Sequence, residues 1–108
     1  MQEDPVERQL AAYNARDIAA FVPCFSLSVV IEDGAGTVLM RGHDELRERY
    51  GAMFTANPQL HCELVHRTRV GSFVIDEERI TGRGPEPIRA VAIYRVDGAI
   101  IEHVRLLR

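Results

Sequence analysis

Apolar and polar residues change their period along the chain, and the changes divide it into three helices followed by strands. Asp4 stands before Pro5, with Glu7 three residues after it, a variant of the capping box that opens a helix. That helix is expected over residues 5–15, with Val6, Leu10 and Tyr13 on its buried stripe and Gln9 beside them. After Asn14-Ala15-Arg16, Asp17 is a second cap, and Ile18, Phe21, Val22 and Phe25 make a short amphipathic helix. Pro23 removes a backbone donor inside that helix, so a kink or an early end is predicted. Residues 28–33 alternate as a strand, Gly34-Ala35-Gly36 turns the chain, and a short strand covers 37–40. Gly42 leads into a third helix over 44–56, which carries Leu46, Tyr50, Met53 and Phe54 on one side and stops at Asn57-Pro58.

Everything after Pro58 reads as strand, over 60–70, 73–81, 88–96 and 99–107, and Asp97-Gly98 is a hairpin signal. Helices first and a four-stranded antiparallel meander last is an α+β plan, in which a curved sheet wraps a helix layer. The last two strands are apolar on both sides. Ala90, Ala92 and Tyr94 oppose Val91 and Ile93, while Ile101 and Leu107 oppose Ile100, Val104 and Leu106. A sheet with one wet face alternates apolar with polar, so one face is expected to meet the helices and the other a second copy, as a homodimer.

The chain has 108 residues and a formal charge of −3, which fits one domain spanning residues 1–108. All thirteen basic side chains are arginine, and none is lysine. Schiff-base chemistry and lysine-bearing phosphate loops are thereby excluded. The mild acidity and scattered arginines speak against a nucleic-acid partner. No apolar run reaches the roughly 20 residues of a membrane span, and Met1-Gln2-Glu3-Asp4 lacks the basic and apolar parts of a signal peptide, so no membrane association and a cytoplasmic protein are expected. Cys24 and Cys62 have no metal or redox spacing and read as buried free thiols.

Asp33 carries the most chemistry. In strand alternation it shares a face with Val29 and Ile31, so a face entering the core ends in a carboxylate, which desolvation would tune towards a general base. The alternative is an Asx-turn residue that bonds its own backbone ahead of Gly34. On the final strand His103 and Arg105 fall with Ile101 and Leu107 and are expected to line a cavity mouth, His103 to move a proton and Arg105 to hold an anionic group. The other reading leaves both at the open end of the sheet, with Arg105 paired to a carboxylate. Asp76 and Glu78 share a face with Val74 and Ile80, but Phe73 and Ile75 make an equal claim to point inward. His66 falls with Leu60, Cys62 and Leu64 and reads as a core histidine, and no histidine pattern suggests a metal. No serine or cysteine has the context of a nucleophile, which leaves proton transfer without a cofactor, or simple binding.

The order of helix, Asn14-Ala15-Arg16-Asp17, short helix, strand ending in Glu32-Asp33, Gly42 before a third helix and then four strands resembles the nuclear-transport-factor-like superfamily, which contains ketosteroid isomerases and SnoaL-like polyketide cyclases. The resemblance covers nearly the whole chain. It implies a cone-shaped, cystatin-like α+β fold with a pocket for a small hydrophobic ligand between the helices and the concave sheet, usually in homodimers. It places Asp33 on the general-base aspartate of ketosteroid isomerase and Tyr50 on a tyrosine supporting its oxyanion network. Gln9 and Ala92 stand where that enzyme has its two oxyanion donors, and losing even one such donor typically costs about a hundredfold in rate, so efficient ketosteroid isomerase activity is not expected. Tyr13, one helical turn from Gln9, is a substitute by position. Ile101-Glu102-His103-Val104-Arg105 resembles the polyketide-cyclase pattern, keeping His103 but carrying Val104 and Arg105 in place of its tryptophan and aspartate. The implied function is isomerisation or cyclisation of a small hydrophobic carbonyl compound by Asp33 with His103 or Tyr50. Gln9, Tyr13, Met53, Phe54, Ala92, Tyr94 and Arg105 would be around the ligand. The alternative is a non-catalytic ligand-binding or protein-interaction dimer, which a cone filled by Tyr50, Met53 and Phe54 would favour.

Overall fold

The computed structural model describes residues 4–108; Met1-Gln2-Glu3, considered above for a leader, lies outside the described residues. Helix α1 spans Pro5–Ala15, and Asp4 caps it by accepting from the Val6 amide at 2.8 Å. Glu7 pairs with Arg67 at 3.5 Å, which ties this first turn to the sheet. The Asn14–Asp17 motif is a joint between layers. Asn14 donates to the Cys62 carbonyl at 3.0 Å and accepts from the Cys62 amide at 2.7 Å, satisfying backbone groups of an edge strand. Arg16 takes the left-handed conformation that ends α1 (φ 52°), and its guanidinium donates to the Leu60 carbonyl at 2.7 Å. Asp17 caps α2, Ile18–Phe21.

Pro23 ends that helix early, as expected: Val22–Cys24 is a single 3-10 turn, and Phe25 opens strand β1, Phe25–Asp33, instead of extending the helix. Strand β2 is Val38–Arg41 and helix α3 is Gly42–Ala56. The meander follows as β3 (His61–Val70), β4 (Phe73–Thr81), β5 (Ile88–Asp97) and β6 (Ile100–Leu107). These four strands are antiparallel neighbours, and β1 joins β6 in parallel, so the six-stranded sheet runs β2-β1-β6-β5-β4-β3. Among the described residues no helix is long and apolar enough to cross a membrane.

The core lies between the helices and one face of the sheet, where Val6, Phe21, Val29, Ile31, Leu46, Leu60, Ile101 and Val104 are buried. Tyr13, Phe21, Tyr50 and Phe54 form an aromatic cluster against that face, with Phe21 and Tyr50 4.7 Å apart between ring centres and Tyr13 edge-on to Phe54 at 5.5 Å. Cys24 and Cys62 are both free and buried.

The pairing register shifts at four places in the sheet, and the bulges in β3 and β6 set which of those strands' side chains reach this core. In β3 Leu64 faces Glu78 and His66 faces Glu77, so Val65 is the extra residue. In β6 Ile101 faces Val96 and His103 faces Arg95, so Glu102 is extra. Each bulge reverses the alternation that follows it, because one added residue rotates every later side chain to the opposite face. His66 is therefore exposed rather than in the core, and Arg67 turns inward in its place. Ile101 and Val104, assigned to opposite faces by strict alternation, are both buried. His103 and Arg105 are thereby carried to the outer face, away from the cavity they were expected to line.

Candidate functional site

Strand β4 settles its own ambiguity by register. Val74, Asp76, Glu78 and Ile80 are buried, and they neighbour Tyr94, Ala92, Ala90 and Ile88 on β5. Two carboxyl groups thus enter the interior. Asp76 is 0% exposed and receives a two-pronged hydrogen bond from the inward-turned Arg67, Nε to Oδ1 at 2.7 Å and Nη2 to Oδ2 at 2.9 Å. Glu78, 7% exposed, accepts no such two-pronged bond from a guanidinium and shares the lining of the interior with Cys62. Burial, reinforced by the Asp76 charge, pushes its carboxyl up to about 7, and burial likewise pushes the Cys62 thiol up.

Glu78 lines a small inner chamber of about 40 Å³ with Gln9, Tyr13, Tyr50 and Tyr94. Gln9 Nε2 donates to the Tyr94 hydroxyl at 3.1 Å and to the Val6 carbonyl at 3.1 Å. Burial raises the hydroxyls of all three tyrosines, that of Tyr50 to about 12. The chamber has room for water or a single polar group, not for a ring system.

A larger cleft of about 510 Å³ opens at the wide end of the helix–sheet interface. Tyr50, Leu106 and Arg108 line both spaces. Leu39, Met40, Met53 and Leu107 complete the apolar wall, and Asp33, Arg49 and Arg83 supply further charge. Asp33 is half-buried here, and its Oδ1 accepts from the amides of Ala35 and Thr37, each at 2.9 Å. The turn-residue reading and the cleft placement are thus both met, because the carboxylate caps the β1–β2 turn while lining the cleft.

Of the residues singled out in the sequence, the cleft brings together Asp33, Tyr50 and Met53, and the chamber adds Gln9, Tyr13 and Tyr94. Phe54 is buried in the aromatic cluster, and Ala92 is fully buried between Asp76 and Leu106 of the adjoining strands. His103 and Arg105 meet Glu32 on the outer face, at 3.1 Å (His103 Nε2) and 3.2 Å (Arg105 Nε), and Arg105 holds the Glu32 carboxyl below its usual range. The expected pairing of Arg105 with a carboxylate is therefore met, while its expected position at the cavity is corrected, as is that of His103. Arg49, Arg83 and Arg108 were missed, and the direction of the face that carries Glu78 was left open. A signal for Glu78 was present, in two acids alternating with Val74 and Ile80, but only the register with β5 gives that face its direction.

The profile of the SnoaL-like domain family matches residues 6–103. No curated protein matches the chain. Among solved structures, an uncharacterised cystatin-fold protein from Novosphingobium aromaticivorans is 29% identical, with 96% of this chain and 95% of that one covered and a TM-score of 0.88. A provisional polyketide cyclase from Sinorhizobium meliloti is 20% identical over 96% and 94% of the chains (TM-score 0.83). A hypothetical protein of ketosteroid isomerase-like fold from Catenulispora acidiphila, in complex with trimethylamine, is 19% identical over 98% and 85% (TM-score 0.78). The last two show a shared fold and no more. The helix layer, the six-stranded mixed sheet and a profile match over nearly the whole length agree, and the chain belongs to the SnoaL-like domain family, with a cystatin-like, nuclear-transport-factor-like fold.

Proposed function

We propose that the chain binds a small, largely apolar carbonyl compound in the cleft and moves a proton on it without a cofactor, as an isomerase or cyclase does. The observation that carries this reading is the joint presence of Asp33 and Tyr50 on the wall of a cleft of about 510 Å³ whose remaining wall combines apolar side chains with Arg49, Arg83 and Arg108. A carboxylate base removes a proton alpha to a carbonyl, and a hydroxyl donor steadies the oxygen on which charge develops. The backbone amides on Oδ1 of Asp33 fix the carboxylate in place for that task.

The test is deuterium exchange into the methyl group of naphthyl methyl ketone in D₂O, followed by NMR. The parent chain is expected to accelerate exchange, and Asp33→Asn to lower the rate by about a hundredfold, in the range for loss of a general base. Asparagine keeps the Oδ1 acceptor that the turn needs, so the fold is retained. Equal rates for parent and variant would end the assignment of Asp33.

A second reading, a non-catalytic binding or interaction module, is favoured by the aromatic cluster that leaves only about 40 Å³ in the inner chamber. In both readings we propose a cytoplasmic homodimer through the outer sheet face, where Val30, Ile75, Val91 and Ile93 remain half-buried among paired charges.

A further inference from the structure

The arginines divide into two groups. Among the described residues seven of the thirteen pair with a carboxylate, and the ion pairs are spread over the sheet, α3 and the start of α1. Of the six that do not, Arg8 and Arg16 donate to backbone carbonyls, and three others, Arg49, Arg83 and Arg108, line the one cleft described above. They come from separate parts of the chain: Arg49 from α3, Arg83 from the β4–β5 loop and Arg108 from just beyond β6. Arg49 spends a single hydrogen bond, on the Leu39 carbonyl at 3.2 Å. Gly82, next to Arg83, has φ +87° and no room for a side chain, since a Cβ there would lie 2.2 Å from the Gln59 carbonyl oxygen, so the backbone at the start of this loop packs directly against residues 59–60. All three guanidinium groups lower the titration of the same Tyr50 hydroxyl against the pull of burial, which marks the point where their fields converge.

Against these three guanidinium groups, the only side-chain carboxylate on the cleft wall among the described residues is Asp33, already engaged by two backbone amides. The cleft therefore joins an excess of unpaired guanidinium donors to an apolar wall of Leu39, Met40, Met53, Leu106 and Leu107. Guanidinium forks match the planar two-oxygen geometry of a carboxylate, and the apolar wall selects against a bare hydrated anion. We propose that the ligand of this cleft is a small organic acid, with its carboxylate held by Arg49, Arg83 and Arg108 and its apolar body laid along the methionine–leucine wall. This inference rests on the cleft being the small-molecule site, and it narrows the carbonyl compound to one that also bears a carboxylate.

The test compares three probes by titration calorimetry: naphthoate, naphthyl methyl ketone and inorganic sulfate. The acid and the ketone share a ring and differ in charge. Naphthoate is expected to bind at least about tenfold more tightly than the ketone, since a charge-assisted hydrogen bond contributes more than a neutral one. Arg83→Gln and Arg49→Gln should each weaken naphthoate about five- to tenfold and leave the ketone unchanged. Both side chains are exposed, so neither substitution threatens folding. Equal affinity for acid and ketone, or naphthoate binding indifferent to both substitutions, overturns the proposal while leaving the cleft as a binding site. Sulfate binding as tightly as naphthoate overturns it by showing an ion site without an apolar component, and failure of all three probes to bind overturns it with the cleft itself. Tight, arginine-dependent naphthoate binding alongside unchanged deuterium exchange in Asp33→Asn would uphold the acid site and remove the proton-transfer reading.

Discussion

Replacing Arg67 by alanine is expected to destabilise the fold by about 3–5 kcal/mol, the usual cost of leaving one partner of a buried ion pair alone. Asp76 has no other route to compensation. It is fully buried on the inner face, both its oxygens are taken by Arg67, and its neighbour on the same face is the acid Glu78. Without the guanidinium the carboxylate must take up a proton, draw water into the core or unfold the sheet around it. A domain of this size has a total stability of about 5–15 kcal/mol, so the variant should melt at least about 12 °C below the parent. The double variant Arg67→Ala/Asp76→Ala removes the stranded charge and should recover part of the loss, which separates the ion-pair effect from simple loss of packing. Urea unfolding of the parent, both single variants and the double variant supplies the full cycle. A cost below about 1 kcal/mol for Arg67→Ala would mean that Asp76 is not held as a charge.

The second large effect concerns pH. An unfolded glutamate titrates at 4.5, and Glu78 in the folded chain at about 7. Between those values the folded protein retains a proton that the unfolded chain has released, so the native state binds more protons and stability falls as pH rises. The contribution is fully present below about pH 4.5, is lost progressively up to about pH 7 and is absent above it. The gap between 4.5 and about 7, at about 1.4 kcal/mol per pH unit, amounts to about 3 kcal/mol. Glu78→Gln keeps the shape but cannot ionise, so it should match the parent near pH 4 and exceed its stability by about 3 kcal/mol at pH 8. Other groups, such as Glu32, titrate in both proteins and cancel in the difference between their urea-unfolding profiles. Parallel profiles would show that the Glu78 carboxyl is not desolvated in the folded state. The two predictions are coupled, because Arg67 also lowers the Glu78 titration, and removing it should move that titration higher still wherever Asp76 stays charged.

Much of the fold was legible because its signals are local. Asp4-Pro5, Asp17, Pro23, Asn57-Pro58 and Asp97-Gly98 act within a few residues of themselves, and each start or stop they predict lies within two residues of the observed one. Asp33 was also legible, since the turn that follows it and the apolar residues on its face are adjacent in sequence. The outer positions of His66, His103 and Arg105 were not legible. They depend on bulges at Val65 and Glu102, and nothing in either local pattern distinguishes a bulged strand from a regular one.

By itself, then, the chain's hydrophobic period determined the helix-then-strand order, the two-sided apolar strands, the buried thiols and a carboxylate at the end of the first core strand. The tertiary structure decided which face each charge occupies. It brought Arg67 to Asp76, left Glu78 beside a thiol in the interior, and gathered Arg49, Arg83 and Arg108 from three distant segments into one cleft. The physical reason is that periodicity assigns side chains to faces only while the register is unbroken. Curving a sheet around a helix layer takes bulges, each of which exchanges the faces, and the energies that place them arise from contacts between residues far apart in the chain.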